Sequence, residues 1–337
     1  MPRYEELRRE VEALGLLTER RYAYYFLYAT LVILGVVISL YLITSTTSPY
    51  IQISNALFLG FLFVQAGMLG HDLSHRQVFC SERFNRFFSM FAWGLFGGLS
   101  ESKWYEKHNA HHRHPNHVNR DPDLAMPFIF SDVQIAGTSQ IVTRYVVPFQ
   151  HVIFFALLPL QYMSMIAQTQ FFIFYRFSLR SFSELLLILI HFLVLFLFVF
   201  FYLPFSLAVA YLLIHTAFCG IYMSLVFAPN HKGEAVIGEN EIPPWTTQIT
   251  STRNVIPSPL IFHIFGGLNF QIEHHLFPSM ARPNYLKIQP VVKRFCIVNN
   301  LQYHETSWLG SLKEIYFSLK READAQRARV RSLAPRA

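Results

Sequence analysis

Of 337 residues, 53% are hydrophobic, 16% aromatic and only 15% charged, with a mean hydropathy of +0.30, too apolar for an ordinary soluble domain of this length. The net charge of +7 and pI near 9.3 suit anionic lipid or an acidic protein partner, and in so apolar a chain they argue against nucleic acid. The three cysteines, Cys80, Cys219 and Cys296, form no CxxC pair, which excludes a disulfide framework and a thiolate metal site and fits a reducing environment.

Residues 1–21 alternate basic and acidic side chains and lead into a long apolar run without a cleavage site, so a cytoplasmic N-terminal segment is expected rather than a signal peptide. Four uncharged apolar stretches, 22–43, 51–70, 185–203 and 205–228, reach the roughly 17–25 residues that a spanning helix needs. They pair into two hairpins, with turns at 44–50 and Pro204. Every Lys and Arg lies in 1–21, 71–184 or 229–337, which by the positive-inside rule places both termini and both large polar regions in the cytoplasm. Two further apolar stretches read as interfacial: Phe87–Leu99 is short, and 152–167 contains Pro159 and Gln161. The expected fold is an all-α integral membrane protein, with four transmembrane helices in two hairpins and a cytoplasmic helical cap carrying the functional site. The main domain would run over 22–310, followed by a basic tail, 311–337, that is solvated and partly disordered from Lys320 onward.

Fifteen histidines occur, and their placement carries the chemistry. His71 and His75 stand at i, i+4 directly after the second apolar run. His108, His111 and His112 form an i, i+3, i+4 set, and Gln271, His274 and His275 repeat that spacing with Gln at the first place. Each set gathers its side chains on one helical face. A single such pair reads as a polar helix end. Three sets on one side of the membrane read as a shared metal site, because seven facing imidazoles would repel one another if protonated and a metal holds them neutral. Imidazole suits Fe, Zn, Cu or Ni; one zinc takes about four ligands, so seven imply two metals. A metal transporter would also be histidine-rich, but its ligands belong inside the spans near the midplane.

The motifs Gly70-His-Asp-Leu-Ser-His75, Trp104 with His108-Asn-Ala-His-His112, Asp121-Pro-Asp123, Asn230-His231, and Gly266-Gly-Leu-Asn-Phe-Gln-Ile-Glu-His-His-Leu-Phe-Pro278 resemble those of the membrane-bound fatty acid desaturases, from about Asn55 to Val292. The last motif is similar to the linoleoyl-CoA and front-end branch. The resemblance implies two irons held by His71, His75, His108, His111, His112, His274 and His275, with His231 as an eighth ligand. Asp72, Asn109, Asn230 and Glu273 would orient ligands or hold a water, as would Asp121 and Asp123. Gln271 stands where many members have histidine, and as a weaker amide ligand it would bind directly, through water, or only by a hydrogen bond. Trp93 and Trp104 would line a substrate tunnel between the spans and 87–99, or anchor the interface. The remaining histidines, 114, 117, 151, 191, 215, 263 and 304, are expected to be non-ligands, with 263 the nearest exception.

The reaction implied is O₂-dependent. A methylene C–H offers no acidic proton, so a metal–oxygen oxidant must act on it. Two electrons from the acyl chain and two from a donor reduce O₂ to two waters and leave a cis double bond in an acyl lipid or acyl-CoA. Hydroxylases and ketolases of the same superfamily are the nearest alternative. The haem-binding His-Pro-Gly-Gly of the cytochrome b5 module fused to many members is not in this sequence, so a separate ferredoxin or cytochrome b5, with its reductase, is the expected donor.

Overall fold

The computed structural model describes residues 4–135 and 137–333; residues 1–3 of the N-terminal segment and 334–337 of the basic tail lie outside the described residues. Among the described residues the regular structure is mostly helical, with a two-residue parallel strand pair, β1 (Asn254–Val255) with β2 (Glu305–Thr306), and an isolated bridge between His117 and Ile237. The main helices, leaving aside the shortest turns, are α1 (Tyr4–Ala13), α2 (Tyr22–Ser45), α3 (Pro49–Ser74), α4 (Glu82–Phe91), α5 (Glu101–Arg113), α6 (Gln161–Tyr175), α7 (Leu179–Tyr202), α8 (Phe205–His231), α9 (Gln271–Leu276), α10 (Tyr285–Val298) and α11 (Trp308–Leu333).

Among the described residues, five helical stretches are long and apolar enough to cross a membrane: α2, α3, residues 140–175, α7 and α8. Helix α3 is the central one, since 67% of its most apolar window is buried against 22% for α2 and for α7. The outer helices turn Phe26, Leu31, Leu193 and Phe201 outward, as lipid-facing helices do. The first hairpin is fastened inside the apolar region. Ser39 Oγ donates to Asn55 Oδ1 at 2.7 Å, and Gln52 Nε2 donates to the Leu42 and Thr46 carbonyls, each at 2.7 Å. Such bonds between apolar helices contribute on the order of 1 kcal/mol each.

The 140–175 stretch departs from the sequence reading. Pro148, Pro159 and the glutamines around them interrupt its hydropathy, so the sequence alone picks out only 152–167, whereas the folded run is 36 residues long. It is not a straight rod. Tight 3₁₀ turns at Val147–Phe149 and Leu158–Leu160 break it, each opening on a proline. At the second turn the Leu158 and Pro159 carbonyls rest on Gly220 of α8, where a Cβ would come within 2.6 Å of the Pro159 oxygen.

The apolar helices continue past the stretches read from sequence, and their extra turns carry polar residues. Ser100, the N-cap of α5, and Ser102 both donate to Glu184 near the start of α7, the second at 2.5 Å. Arg180 pairs with Glu101. Pro229 lies inside the last turns of α8, and having no N–H it leaves the Leu225 carbonyl unserved. The indole of Trp308 donates to that carbonyl at 3.0 Å, tying α11 to α8.

The first and last described helices both pack against the rest of the molecule. Leu7 and Val11 of α1 are buried with Ile288 and Val292 of α10. The expectation of a disordered tail is corrected: α11 is helical to Leu333, with Ile315, Leu319 and Ala323 at i, i+4, i+8 buried and the first two packed with Ile129, Phe154 and Leu158. A fourfold apolar spacing beneath a basic face is the pattern of an amphipathic packed helix, which composition alone reads as solvated.

Candidate metal centre

The three histidine sets converge. His71 and His75 leave the end of α3, the second set sits on α5, His231 ends α8, and α9 brings Gln271, His274 and His275. His75 Nε2 lies 2.9 Å from His108 Nε2, which is 3.0 Å from His112 Nε2, itself 3.0 Å from His274 Nε2. On the other side, His231 Nε2 lies 3.1 Å from both His111 Nε2 and His275 Nε2. The ligand atoms form two compact groups, His71/His75/His108/His274 and His111/His231/His275, with His112 between them. All eight imidazoles point Nε2 inward or stand in that cluster.

Five of the eight outward nitrogens have a hydrogen-bond partner. His71 Nδ1 lies 3.2 Å from Asp72 Oδ1, His111 Nδ1 2.9 Å from Asp121 Oδ2, His231 Nδ1 3.0 Å from the Ser251 carbonyl, His274 Nδ1 3.1 Å from the Tyr285 hydroxyl, and His275 Nδ1 2.9 Å from Gln248 Oε1. An acceptor on Nδ1 fixes the tautomer whose Nε2 lone pair faces the centre. His71 Nε2 is buried and has no hydrogen-bond partner, as a nitrogen reserved for a metal would be.

Electrostatics agree. Burial, reinforced by the neighbouring imidazoles, holds His75, His108, His112, His274 and His275 well below the usual imidazole range, so they are neutral and ready to ligate. At His111 burial also opposes charge, but Asp121 and Asp123 outweigh it and raise that group. The two imidazole groups could each hold a metal ion, and their all-nitrogen character suits Fe, Zn, Cu or Ni.

The other candidate residues divide. Asp72 and Asp121 each touch an imidazole. Asp121 also accepts from the Asn116 and Asp123 backbone N–H groups, at 2.7 and 2.8 Å, and Asp123 pairs with Lys107 at 2.5 Å. Gln271 reaches the cluster, its side-chain nitrogen 2.9 Å from His231 Nε2, while its Oε1 accepts from Asn230 Nδ2 at 3.0 Å. Glu273 points elsewhere, accepting from Asn254 Nδ2 at 2.7 Å and the Tyr303 hydroxyl at 2.8 Å. Burial pushes its carboxyl up to about 7, and it ties α9 to β1 rather than orienting an imidazole. Asn109 has no side-chain hydrogen bond to the imidazoles among the described residues.

A cavity of about 260 Å³ opens from the centre between α5, α6, α8 and α11. Leu99, Trp104, Met165, Met223, Phe227 and Leu268 give it an apolar wall, and Lys103, Lys107, Lys232 and Glu322 line its polar part. The second wall is therefore 154–169, not 87–99 as the sequence suggests; from 87–99 only Leu99 takes part. Trp104 stacks on His108 at 4.2 Å between ring centres and on Trp93 at 4.8 Å. Met223 and Leu99 also border a small apolar pocket with Trp93, Tyr162 and Cys219.

Residues 46–307 match the family of fatty acid desaturases. The chain belongs to the fatty acid desaturase family. It is 31% identical over 266 residues to the Delta(6)-fatty-acid desaturase of Caenorhabditis elegans, covering 74% of this chain and 60% of that protein. It is 27% identical over 322 residues to the Acyl-lipid (9-3)-desaturase of Borago officinalis, covering 90% and 71%, and 30% identical over 266 residues to the Delta(5) fatty acid desaturase of C. elegans, covering 74% and 59%. The chain thus spans about 60% of the length of the C. elegans relatives it matches.

Several residues that position this desaturase-family centre carry no sequence signal. Gln248, the Ser251 carbonyl and Tyr285 lie 27, 20 and 11 residues along the chain from the imidazoles they orient, outside the histidine motifs. Arg253, fully buried, donates to the Pro229 and Lys232 carbonyls at 2.8 and 2.9 Å and pairs with Glu234 and Glu314, both at 2.9 Å, clamping the turn that bears His231. The other histidines take structural contacts: His117 Nδ1 lies 2.7 Å from the Val118 carbonyl and His191 Nδ1 2.9 Å from that of Leu95, while His151 packs on Tyr316 and His263 on Phe262.

His304, without a partner pattern in the sequence, lies 2.9 Å from Glu234 and 3.3 Å from Glu314. The Glu234 carboxylate raises it above the usual imidazole range, against partial burial. A raised folded value means the contribution is full below about pH 6.5 and lost as pH rises through that raised value. His304→Ala is expected to cost about 1 kcal/mol near pH 6 and much less near pH 9, with bound metal unchanged. Melting curves at the two pH values check this; an equal deficit at both would assign the effect to packing.

Proposed function

We propose that this protein is an O₂-dependent fatty acyl desaturase that places a cis double bond in a lipid-linked or CoA-linked acyl chain, using two irons held by His71, His75, His108, His111, His112, His231, His274 and His275. One observation carries the reading: two groups of buried and half-buried imidazoles with converging Nε2 atoms form the head of a largely apolar cavity. The metal pair supplies an oxidant from O₂ able to take hydrogen from an unactivated methylene. The protein supplies placement. Leu99, Met165, Met223, Phe227 and Leu268 fix an acyl chain beside the centre and exclude water, Gln271 and Asn230 tune the His231 side, and Lys103, Lys107 and Lys232 receive the anionic carrier or headgroup. A transporter is disfavoured because the imidazoles sit at helix ends and in the cap. The relatives' printed names, all desaturases, favour desaturation over hydroxylation.

The test is fatty-acid analysis of a host expressing the chain beside one expressing His108→Ala. A new monounsaturation or polyunsaturation confined to the first host is expected. Hydroxy fatty acid as the main product would move the protein to the hydroxylase alternative.

The reading includes four spans, α2, α3, α7 and α8, with both termini and the centre on the cytoplasmic side. Support comes from both ends of 140–175 resting on the cap: Gln150 donates to Glu322 at 2.9 Å, and Lys103 donates to Gln168 at 2.6 Å. A run anchored at both ends to one face dips and returns. Single cysteines at Thr47, Arg120 and Leu179 are expected to label from opposite, cytoplasmic and cytoplasmic sides respectively. Arg120 and Leu179 labelling from different sides would make 140–175 a fifth span.

A further inference from the structure

Asp72 is buried at the end of α3, beside His71, and its second oxygen accepts from the guanidinium of Arg282, which is itself buried. Arg282 reaches this point from a loop more than two hundred residues away along the chain. Its Nη2 donates to the Met68 carbonyl at 3.0 Å, one turn before Asp72. Its backbone N–H lies 3.2 Å from the Tyr25 hydroxyl and 3.1 Å from Gln77 Oε1, and the guanidinium covers the Tyr28 ring at 4.9 Å. The space for it is made by the glycine pair that opens the third histidine motif. Gly266 and Gly267 both have left-handed backbones, φ 56° and 79°. A Cβ on Gly266 would come within 3.0 Å of Arg282 Nη1, and one on Gly267 within 3.0 Å of Arg282 Cδ. Only glycine suits both the backbone and the close approach.

A buried ion pair is poor evidence for stability, because desolvating two charges offsets most of their attraction. It does fix a carboxylate. Asp72 Oδ1 faces His71 Nδ1 at 3.2 Å, and His71 Nε2 has no other partner. We infer that Arg282, seated in the Gly266–Gly267 cradle, is a positioning residue for the metal centre: it aligns the Asp72 carboxylate, which sets the tautomer and direction of His71. This rests on the reading above that His71 holds a metal.

The experiment is competition for iron between a chelator and the purified full chain in lipid nanodiscs, with melting of the metal-free protein measured alongside. Outer partners of ligating histidines alter metal affinity by about 10–100-fold, so Asp72→Ala and Arg282→Met are each expected to release iron at least about 10-fold more readily. The double variant is expected to be no worse than the weaker single, because both act through one carboxylate. Arg282→Lys, which keeps the charge but cannot hold Asp72 and Met68 together, is expected to show a smaller iron defect with an unchanged metal-free melting temperature, and it decides the matter if Arg282→Met does not fold. Iron held as tightly as in the wild type by Arg282→Lys and Arg282→Met, or losses that multiply in the double variant, would overturn the inference. His71→Ala separates the two readings: if it leaves iron affinity intact, the ligand assignment fails, whereas weakened iron in His71→Ala alone leaves that assignment standing and removes only the role of Arg282.

Discussion

His108→Ala is expected to reduce turnover below about one-thousandth of the wild-type rate, equivalent to about 4 kcal/mol of barrier, and to lower bound iron from two per chain. His108 occupies the middle of one imidazole group, with Nε2 2.9 Å from that of His75 and 3.0 Å from that of His112, and its ring is held flat against Trp104. No neighbouring side chain can replace its lone pair: the adjacent Asn109 leaves the helix about 100° around, and Trp104 is a donor only. His71→Ala, His112→Ala and His275→Ala are expected to behave alike. Gln271→Ala is the graded case, retaining more iron than His231→Ala, because Gln271 reaches the cluster only beside His231 whereas His231 is one of three nitrogens in its group. Metal analysis and Mössbauer spectra of the purified variants, with turnover on the same samples, provide the measurement. Zinc as the sole metal of active protein would defeat the iron assignment, and Gln271→Ala losing more iron than His231→Ala would reverse the order of the two ligands.

Turnover by the purified 337-residue chain is expected to be undetectable with NADPH and O₂ alone and to appear when a ferredoxin or cytochrome b5 with its reductase is added. Reducing O₂ to two waters takes four electrons, and the acyl chain provides two. This sequence has no haem-binding His-Pro-Gly-Gly, no glycine-rich nucleotide fingerprint and no cysteine cluster, so the other two have no carrier within it. Its Lys and Arg total 28 against 21 acidic residues, and none of them lies within 22–70 or 185–228. The cap therefore carries the excess positive charge, and an acidic donor should be steered to it electrostatically. The donor-dependent rate at limiting donor is expected to fall several-fold between low salt and about 0.3 M salt, as the Debye length shrinks below about 10 Å. Sustained turnover without a donor protein would sink the requirement. A donor-dependent rate indifferent to salt would retain the partner and remove electrostatic docking.

Much of the centre could be read along the chain. Local helical geometry dictates which face a side chain occupies, so the i, i+3, i+4 spacings of His71/His75, His108/His111/His112 and Gln271/His274/His275 specify three donor faces before any tertiary contact exists. Four of the five apolar helices were legible for a related reason: transfer of about twenty residues into hydrocarbon is a sum over local composition. What composition cannot register is packing between distant segments. The partners of the outward nitrogens, Gln248, the Ser251 carbonyl and Tyr285, are a side-chain amide, a backbone atom and a phenol with no spacing that marks them. The cavity wall at 154–169 and the ordered helix α11 arise because each buries an apolar stripe against the other. Arg253 and Arg282 are fully buried cations, which solvation energies forbid unless carboxylates and carbonyls meet them, and those partners come from other parts of the chain. Sequence by itself therefore determined the donor spacings and four of the five apolar helices, which depend on neighbours along one helix. Only the tertiary structure decided how the donors are aimed and what surrounds them, because orientation is enforced by contacts between residues that chain connectivity leaves far apart.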